Sequence, residues 1–169
     1  MVGIFISVGS NVDAVKHIQS GILALHRQWG VLRISRVYES EAVGFDGDNF
    51  LNLVVAANVD EPVESVVSVL RSIEDEHRRD RNMPRFSPRT LDLDLLLYGD
   101  AVFADKGLNI PRDEITKNAF VLAPLAELAP DLLHPVAGTD YQTLWAQYDK
   151  SSQKLWPVEF EWPPAVKSP

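Results

Sequence analysis

Hydrophobic and polar positions follow one another along the chain with spacings that predict strands and helices. Residues 3–8 and 50–59 are almost continuously apolar and rich in β-branched side chains, which is typical of buried strands. Residues 31–40 form another predicted strand, and residues 90–98 alternate apolar and polar side chains up to a Gly-Asp turn. Residues 41–49 contain two glycines and three acidic side chains, which predicts an exposed loop.

Three further segments carry apolar residues at helical spacing. In residues 13–28 and 60–79 apolar side chains recur every three or four positions, which predicts two helices. A shorter helix is predicted at 119–129 and ends before Pro130. The order of elements is therefore β-α-β-β-α-β, the split βαβ pattern. It predicts an α+β fold of the ferredoxin-like class, an αβα sandwich with a mainly antiparallel sheet.

The length of 169 residues predicts a single domain over 1–169, with a core at about 4–135. The tail from 151 contains four prolines and two tryptophans, and no element is assigned to it. Hydrophobic residues make up 46% of the chain, but none of their runs approaches the ~20 residues of a membrane span. The sequence has no cysteine, which excludes disulfides and thiolate nucleophiles. Because the start has no leader-peptide pattern, we expect a cytoplasmic protein.

The chain is acidic overall but contains one dense basic segment. Sixteen lysines and arginines against 24 acidic residues give a net charge of −8, the wrong sign for a general nucleic-acid or membrane binder. Six of the cationic residues are nevertheless arginines close together in the sequence, namely Arg71, Arg78, Arg79, Arg81, Arg85 and Arg89. Guanidinium groups match pairs of phosphate oxygens, so this segment predicts a local phosphate site.

Two aspartates follow the arginine-rich segment on the last predicted strand. Asp92 and Asp94 are two positions apart and therefore share one face. The opposite face would carry the alternating leucines of the strand, Leu91, Leu93, Leu95 and Leu97. Two neighbouring carboxylates beside arginines suit Mg²⁺ together with the phosphates of a nucleotide. An amphipathic edge strand with solvated or arginine-paired aspartates is an equally good interpretation of this spacing.

The segment 85–99, RFSPRTLDLDLLLYG, resembles the signature of the 6-hydroxymethyl-7,8-dihydropterin pyrophosphokinase family. Other segments are similar to this family in the same order along the chain, namely 8–11, 50–52, 119–125 and 127–131. Members of the family transfer the terminal diphosphate of ATP to the hydroxymethyl group of a reduced pterin in folate synthesis. The resemblance implies the same activity here, with ATP and a reduced pterin as small-molecule substrates.

On the phosphate side, the resemblance implies roles for individual residues. Asp92 and Asp94 would hold two Mg²⁺ ions, and Asp94 would also help the substrate hydroxyl to lose its proton. Arg79 and Arg89 would contact the phosphates directly and act with Asp94 as the catalytic residues. Arg89 would also belong to the nucleotide-binding set, whose other members would be Glu74, Arg81, Arg85, Phe86, Leu95 and Arg112. Phe86 lies in the segment 82–87, a loop that we expect to be mobile because it must open for two substrates.

On the pterin side, the resemblance implies a pocket built from an aromatic ring and an amide. Phe120 would stack on the pterin ring, and Asn52 would pair with its amide edge. The remaining members of the pocket would be Ser40, Val43 and Phe50.

Several positions depart from the pattern of the family. Arg112 stands where the family has histidine, and Asn118 stands where it has arginine. Residues 40–42, Ser-Glu-Ala, replace a Thr-Pro pair, and Phe50 replaces a tyrosine. Arginine can supply the charge of the missing histidine, but it cannot release a proton near neutral pH. Lys117 could replace the charge at 118, but it lacks the two-pronged donor geometry of arginine.

These departures leave three hypotheses beside the active pyrophosphokinase that the sequence favours. The first is a paralogue that transfers diphosphate to a different pterin or a related alcohol. The second is a module that binds ATP or pterin without catalysis. The third, a scaffold, is supported only by the tryptophan-rich tail. We expect a monomer, because such a small two-substrate site needs no second subunit, and we expect neither nucleic acid nor membrane as a partner.

Overall fold

Six antiparallel strands form one sheet in the computed structural model, which describes residues 1–41, 49–78, 90–105 and 107–166. The strands are β1 (Val2–Ser10), β2 (Arg33–Ile34), β3 (Val37–Ser40), β4 (Phe50–Val59), β5 (Asp92–Tyr98) and β6 (Leu155–Val158). Their order is β5-β1-β4-β3-β6, with β2 also paired to β4. The central strands β1 and β4 are the two almost continuously apolar segments, because both of their faces are covered.

Helices cover both faces of this sheet, so the αβα architecture predicted from the order of elements is confirmed. The helices are α1 (Ala14–Trp29), α2 (Val63–His77), α3 (Glu114–Lys117), α4 (Ala119–Leu128) and α5 (Tyr141–Gln147). Buried residues of α1 and α2 form the first core with one face of the sheet. Buried residues of α3, α4 and α5 form the second core with the other face. In the part of the chain that is described, no helix has the length and apolar character needed to cross a membrane.

The strand predicted over 31–40 is divided into β2 and β3. At Ser35 the backbone N–H donates to the carbonyl of Val54 over 3.0 Å, but the Val54 N–H is accepted by the Ser35 hydroxyl, also over 3.0 Å. A side-chain oxygen has therefore replaced a backbone carbonyl in the ladder, and the two short strands diverge around it. A single continuous strand was the wrong prediction at this point.

A bulge in β5 changes the direction of its last leucines. Ile6 pairs with Leu95 and Phe5 pairs with Leu97, so Leu96 is an extra residue opposite β1. Leu96 and Leu97 both belong to the second core, whereas Leu95 packs in the first. The prediction that Leu97 shares a face with the earlier leucines is therefore wrong, since strict alternation ends at the bulge.

The C-terminal segment joins the same sheet. Strand β6 pairs with β3 and extends the edge of the sheet beyond it. Phe160 and Trp162, whose ring centroids are 4.4 Å apart, pack against the first core. The buried side chains of Tyr141 and Val166 extend the core beyond the predicted boundary at 135.

Candidate functional site

A cleft of about 330 Å³ opens on the face of the sheet that α4 covers only in part. Apolar residues such as Phe5 and Val54 fill this face beneath α4. Toward the end of β1 and the start of β4 the same face becomes polar, with Ser7, Gly9 and Asn52. The described residues that line the cleft are Ser7, Gly9, Ser40, Glu41, Phe50, Asn52, Asp92, Asp94, Leu96, Arg112, Glu114, Asn118, Phe120 and Val121. Four strands and the α3–α4 segment therefore meet at one site.

The two aspartates of β5 lie on the cleft side of this edge strand, as the alternation predicts. Their side chains are 34% and 50% exposed, so water or a ligand can reach both carboxylates. Arg78 Nη2 lies 3.8 Å from Asp92 Oδ1, and Arg112 Nη2 lies 3.8 Å from Asp94 Oδ1. Each carboxylate thus has a guanidinium nearby that offsets its charge.

A second, smaller cleft of about 130 Å³ adjoins the first. Glu74 and Leu95 line it together with Asp94 and Arg112, which also line the larger cleft. Burial raises the pKa of the Glu74 carboxyl group, and a 3.0 Å hydrogen bond from the Leu93 N–H opposes that rise. The two clefts therefore meet at one aspartate and one arginine.

Arg112 lies between two carboxylates at this junction. Its Nη2 is 3.1 Å from Glu114 Oε1 as well as 3.8 Å from Asp94 Oδ1. Among the described residues, its buried Nε and the buried Glu114 Oε2 have no hydrogen-bond partner. The junction of the two clefts therefore contains one unpaired donor and one unpaired acceptor, both shielded from the surface.

Asn52 provides an amide on the floor of the larger cleft. Its side chain is buried, with the residue 4% exposed, and its Nδ2 donates to Ser40 Oγ over 2.9 Å. A Cβ atom at Gly9 would lie 3.0 Å from Asn52 Oδ1, so glycine leaves room for the amide. Phe50 and Phe120 line the same cleft, which gives it flat apolar walls beside a polar floor.

Comparison with known proteins agrees with this geometry. Residues 5–130 match the family model described as 7,8-dihydro-6-hydroxymethylpterin-pyrophosphokinase, HPPK. The chain belongs to the HPPK family. The pyrophosphokinase of Aquifex aeolicus is 34% identical over 80% of this chain and 86% of its own length. The Synechocystis enzyme is 35% identical over 92% of this chain and 80% of its own length. Both relatives carry the name 2-amino-4-hydroxy-6-hydroxymethyldihydropteridine pyrophosphokinase.

Solved structures of longer proteins share the HPPK fold. Wild-type HPPK-DHPS of Plasmodium falciparum with SDX-DHP matches with a TM-score of 0.67 at 15% sequence identity, over 88% of this chain. A second HPPK-DHPS structure, in complex with substrates, matches with a TM-score of 0.70 at 11% identity, over 89% of this chain. The chain spans less than half of those solved chains, 44% and 43% respectively.

The described part of the chain brings most of the expected HPPK positions together. The larger cleft contains Ser40, Phe50, Asn52, Asp92, Asp94, Arg112 and Phe120, and the smaller cleft adds Glu74 and Leu95. Six other expected site residues lie outside the described residues, namely Val43, Arg79, Arg81, Arg85, Phe86 and Arg89. The loop 82–87 lies outside them as well.

Arg78 belongs to the arginine-rich segment, but the family resemblance assigned it no individual role in the site. It directly follows α2 and reaches toward the first aspartate of β5. His77, the last residue of α2, contacts α1 instead, with its Nε2 2.8 Å from the Ser20 hydroxyl. The place of Arg78 beside Asp92 depends on a contact between the end of α2 and β5, which the local sequence does not record.

The carboxylate oxygens of the larger cleft suit a divalent ion that is bound together with a phosphate group. Among the described residues there is no group of three or more His, Cys, Asp or Glu side chains that could hold a metal alone. Asp92 and Asp94 provide two accessible carboxylates on one face. Mg²⁺ is characteristically held by one or two carboxylates with substrate phosphates and water, so these two residues suit it.

Proposed function

We propose that the protein transfers the terminal diphosphate of ATP to the hydroxymethyl group of 6-hydroxymethyl-7,8-dihydropterin in folate synthesis and releases AMP. The observation that carries the proposal is the meeting of two clefts at Asp94 and Arg112. One cleft has the aromatic and amide groups that suit a pterin, and the other borders the start of the arginine-rich segment. The names of the two relatives given above support the same reaction.

The pterin would lie in the larger cleft. Its flat ring would stack on Phe120, with Ser40, Val43 and Phe50 completing the pocket. Asn52 carries both a donor and an acceptor, so its amide can pair with the amide edge of a pterin. Such an orientation directs the hydroxymethyl group away from Asn52 and toward the aspartates.

The nucleotide would lie across the smaller cleft. Glu74, Leu95 and Arg112 line that cleft, and we assign them to nucleotide binding. Arg85, Phe86 and Arg89 belong to the same proposed set through their positions in the signature, and Arg81 through its place in the arginine-rich segment. We assign direct phosphate contact in the transfer step to Arg79 and Arg89.

In the proposed reaction the hydroxymethyl oxygen attacks the β-phosphorus of ATP. A bond forms between these two atoms while the bond from the β-phosphorus to the oxygen shared with the α-phosphate breaks, and AMP leaves with that oxygen. Asp94 accepts the proton of the attacking hydroxyl. Positioning and neutralisation of phosphate charge supply most of the acceleration in such transfers, which is the task of the aspartates and arginines.

Asp92 and Asp94 would hold two Mg²⁺ ions together with the phosphates. These ions would neutralise phosphate charge and orient the transferred group. Arg78 and Arg112 lie near the same two carboxylates and offset their charge.

The test is a product assay with ATP, Mg²⁺ and 6-hydroxymethyl-7,8-dihydropterin, in which nucleotides are separated by chromatography. We expect AMP to form only when the pterin and Mg²⁺ are both present. ADP as the nucleotide product would contradict diphosphoryl transfer, and so would AMP that forms without the pterin.

A paralogue with a different acceptor is the second candidate function. Glu41 and Asn118, two of the positions that depart from the family pattern, both line the larger cleft. A carboxylate in this wall would favour a pterin alcohol with an additional donor or positive charge. Comparing kcat/KM for a series of pterin alcohols tests this candidate, and a preference for the unsubstituted 6-hydroxymethyl compound would contradict it.

We further propose that the protein acts as a monomer. Both clefts lie within one fold and meet at Asp94 and Arg112, and a two-substrate site of this size needs no second subunit. Light scattering of the eluting protein during size-exclusion chromatography gives the mass directly, and a dimer mass across working concentrations would contradict this proposal.

A further inference from the structure

The C-terminal segment holds the junction between α3 and α4 by three hydrogen bonds from one side chain. Gln153 Oε1 accepts from the Ala119 N–H over 2.8 Å. Gln153 Nε2 donates to Asn118 Oδ1 over 3.1 Å and to the Lys117 carbonyl over 3.3 Å. The Tyr148 hydroxyl donates to the same carbonyl over 2.7 Å.

Helix α4 needs a partner from elsewhere at its start. The first N–H groups of a helix have no acceptor within the helix, and a side chain at the N-cap usually supplies one. Asn118 occupies the N-cap position of α4, but its side chain makes no capping hydrogen bond. Gln153, 34 residues further along the chain, accepts instead from the Ala119 N–H, the first of these groups. The position at which α4 begins thus depends on the C-terminal segment.

The same junction carries two residues of the larger cleft. Asn118 lines the cleft, and Phe120 follows directly after the residue that Gln153 holds. A shift of the first turn of α4 would therefore move the aromatic ring that we assign to pterin stacking. By contrast, the described residues that we assign to the nucleotide, Glu74, Leu95 and Arg112, lie on α2, on β5 and in the segment before α3.

Strand β6 also attaches the C-terminal segment to β3, on the other side of the larger cleft from α4. In its pairing with β3, Leu155 is opposite Ser40, whose hydroxyl accepts the hydrogen bond from the Asn52 amide. Residues 151–155 and the cleft residues Ser40, Glu41 and Phe120 together surround a further cavity of about 190 Å³. The C-terminal segment thus connects the side of the larger cleft formed by β3 and β4, which carries Asn52, to the side formed by α4, which carries Phe120. It does so although it lies beyond the residues 5–130 that match the family model.

We propose that Gln153 is a positioning residue for the pterin substrate, an inference that rests on the proposed function. It sets the distance between Phe120 on α4 and Asn52 on β4, without touching the pterin or the phosphates. Replacing it therefore weakens pterin binding selectively and leaves nucleotide binding intact.

The test compares Gln153→Ala with Gln142→Ala, an exposed glutamine of α5 in the same part of the chain. Pterin affinity is measured by fluorescence titration, and the KM values for pterin and ATP by AMP release. We expect Gln153→Ala to weaken pterin binding by about tenfold, because the loss of hydrogen bonds of ordinary strength lets the helix start shift. The KM for ATP and all parameters of Gln142→Ala stay at the values of the unmodified protein.

Gln153→Glu is the rescue variant. Its carboxylate can still accept from the Ala119 N–H, and a negative charge is favourable at a helix N-terminus. Because a carboxylate cannot donate to Asn118 Oδ1 or to the Lys117 carbonyl, we expect it to recover only part of the pterin affinity that Gln153→Ala loses. Hydrogen exchange supplies a readout without ligand: the amides of residues 119–121 should exchange faster in Gln153→Ala than in Gln142→Ala.

Several results would overturn the inference. One is an unchanged pterin affinity in Gln153→Ala, and another is an equal loss of pterin and ATP binding with a lower melting temperature, which indicates a general structural role. If Gln153→Ala does not fold, Gln153→Met replaces it, because methionine keeps the length of the side chain but not its amide hydrogen bonds, and no selective loss of pterin affinity in that variant would refute the proposal. Failure of the unmodified protein to bind pterin would instead contradict the proposed function, and this inference would fall with it.

Discussion

Replacement of Asn52 by alanine tests the assignment of the larger cleft to the pterin. The Asn52 amide is buried on the floor of that cleft, and one of its donors is already engaged by the Ser40 hydroxyl. Alanine removes the donor and the acceptor together, but leaves the aspartates and the smaller cleft unchanged. The expected result is therefore a selective loss of pterin recognition.

The magnitude follows from the hydrogen bonds that disappear. Two bonds to the pterin edge, each contributing about 0.5–1.5 kcal/mol, amount to roughly 1–3 kcal/mol of binding free energy. This corresponds to an increase of about 5-fold to 150-fold in the dissociation constant. The free energy of unfolding should fall by about 1 kcal/mol, because the bond to Ser40 Oγ is lost as well.

The matched control is Asn58→Ala, which changes an exposed asparagine of the same strand. Pterin affinity is measured by fluorescence titration, and the KM for ATP by AMP release at saturating pterin. We expect the Asn58 variant to behave as the unmodified protein in both assays. If Asn52→Ala bound the pterin with unchanged affinity, or lost affinity for ATP to the same extent, the assignment of this cleft would be refuted.

Three further predictions concern neighbouring residues. Gly9→Ala places a Cβ atom 3.0 Å from Asn52 Oδ1. We therefore expect the KM for pterin to rise by about tenfold through one impaired hydrogen bond, with little change in melting temperature. An unchanged KM would contradict this, because it would mean that the Asn52 amide can move aside and still bind the pterin. Burial raises the pKa of Glu74, so the folded state holds this proton more tightly and loses stability as pH rises through the raised pKa. Glu74→Gln can still accept from the Leu93 N–H, and it should unfold at a higher denaturant concentration than the unmodified protein at pH 7. This difference in stability should vanish below pH of about 4, where the glutamate is protonated. A stability advantage that persists in acid would contradict burial of charge as its cause. Arg112→Ala should lower kcat/KM for ATP by about 10-fold to 150-fold through loss of a charge-assisted hydrogen bond, whereas an equal loss for the pterin would contradict its assignment to the nucleotide.

Local spacing was sufficient to predict much of the fold. The two central strands and α1 and α2 are long, strongly patterned segments whose buried faces can be seen in the sequence. The division at Ser35 could not be predicted, because a serine hydroxyl replaces a backbone acceptor only when Val54 lies opposite it. The bulge at Leu96 escaped prediction for a related reason, since an all-leucine run gives no sign of where alternation stops.

The site was predictable where one short motif carries it. Asp92 and Asp94 share a face because strands alternate, and further segments that resemble the family indicated the amide and aromatic positions that the fold brings to the same cleft. Contacts between distant elements had no such signal. The Arg78–Asp92 pair and the capping of α4 by Gln153 each depend on tertiary placement, which no local pattern records.

The most direct test of the central claim is to identify the pterin product made by the unmodified protein and by Asp94→Asn. Asp100→Asn, which changes an exposed aspartate just after β5, is the control. Mass spectrometry of the pterin and chromatography of the nucleotide would follow the same reaction. We predict pterin diphosphate and AMP in equal amounts from the unmodified and control proteins, and a rate at least about a hundredfold lower for Asp94→Asn. Pterin monophosphate with ADP, or full activity of Asp94→Asn, would contradict the claim.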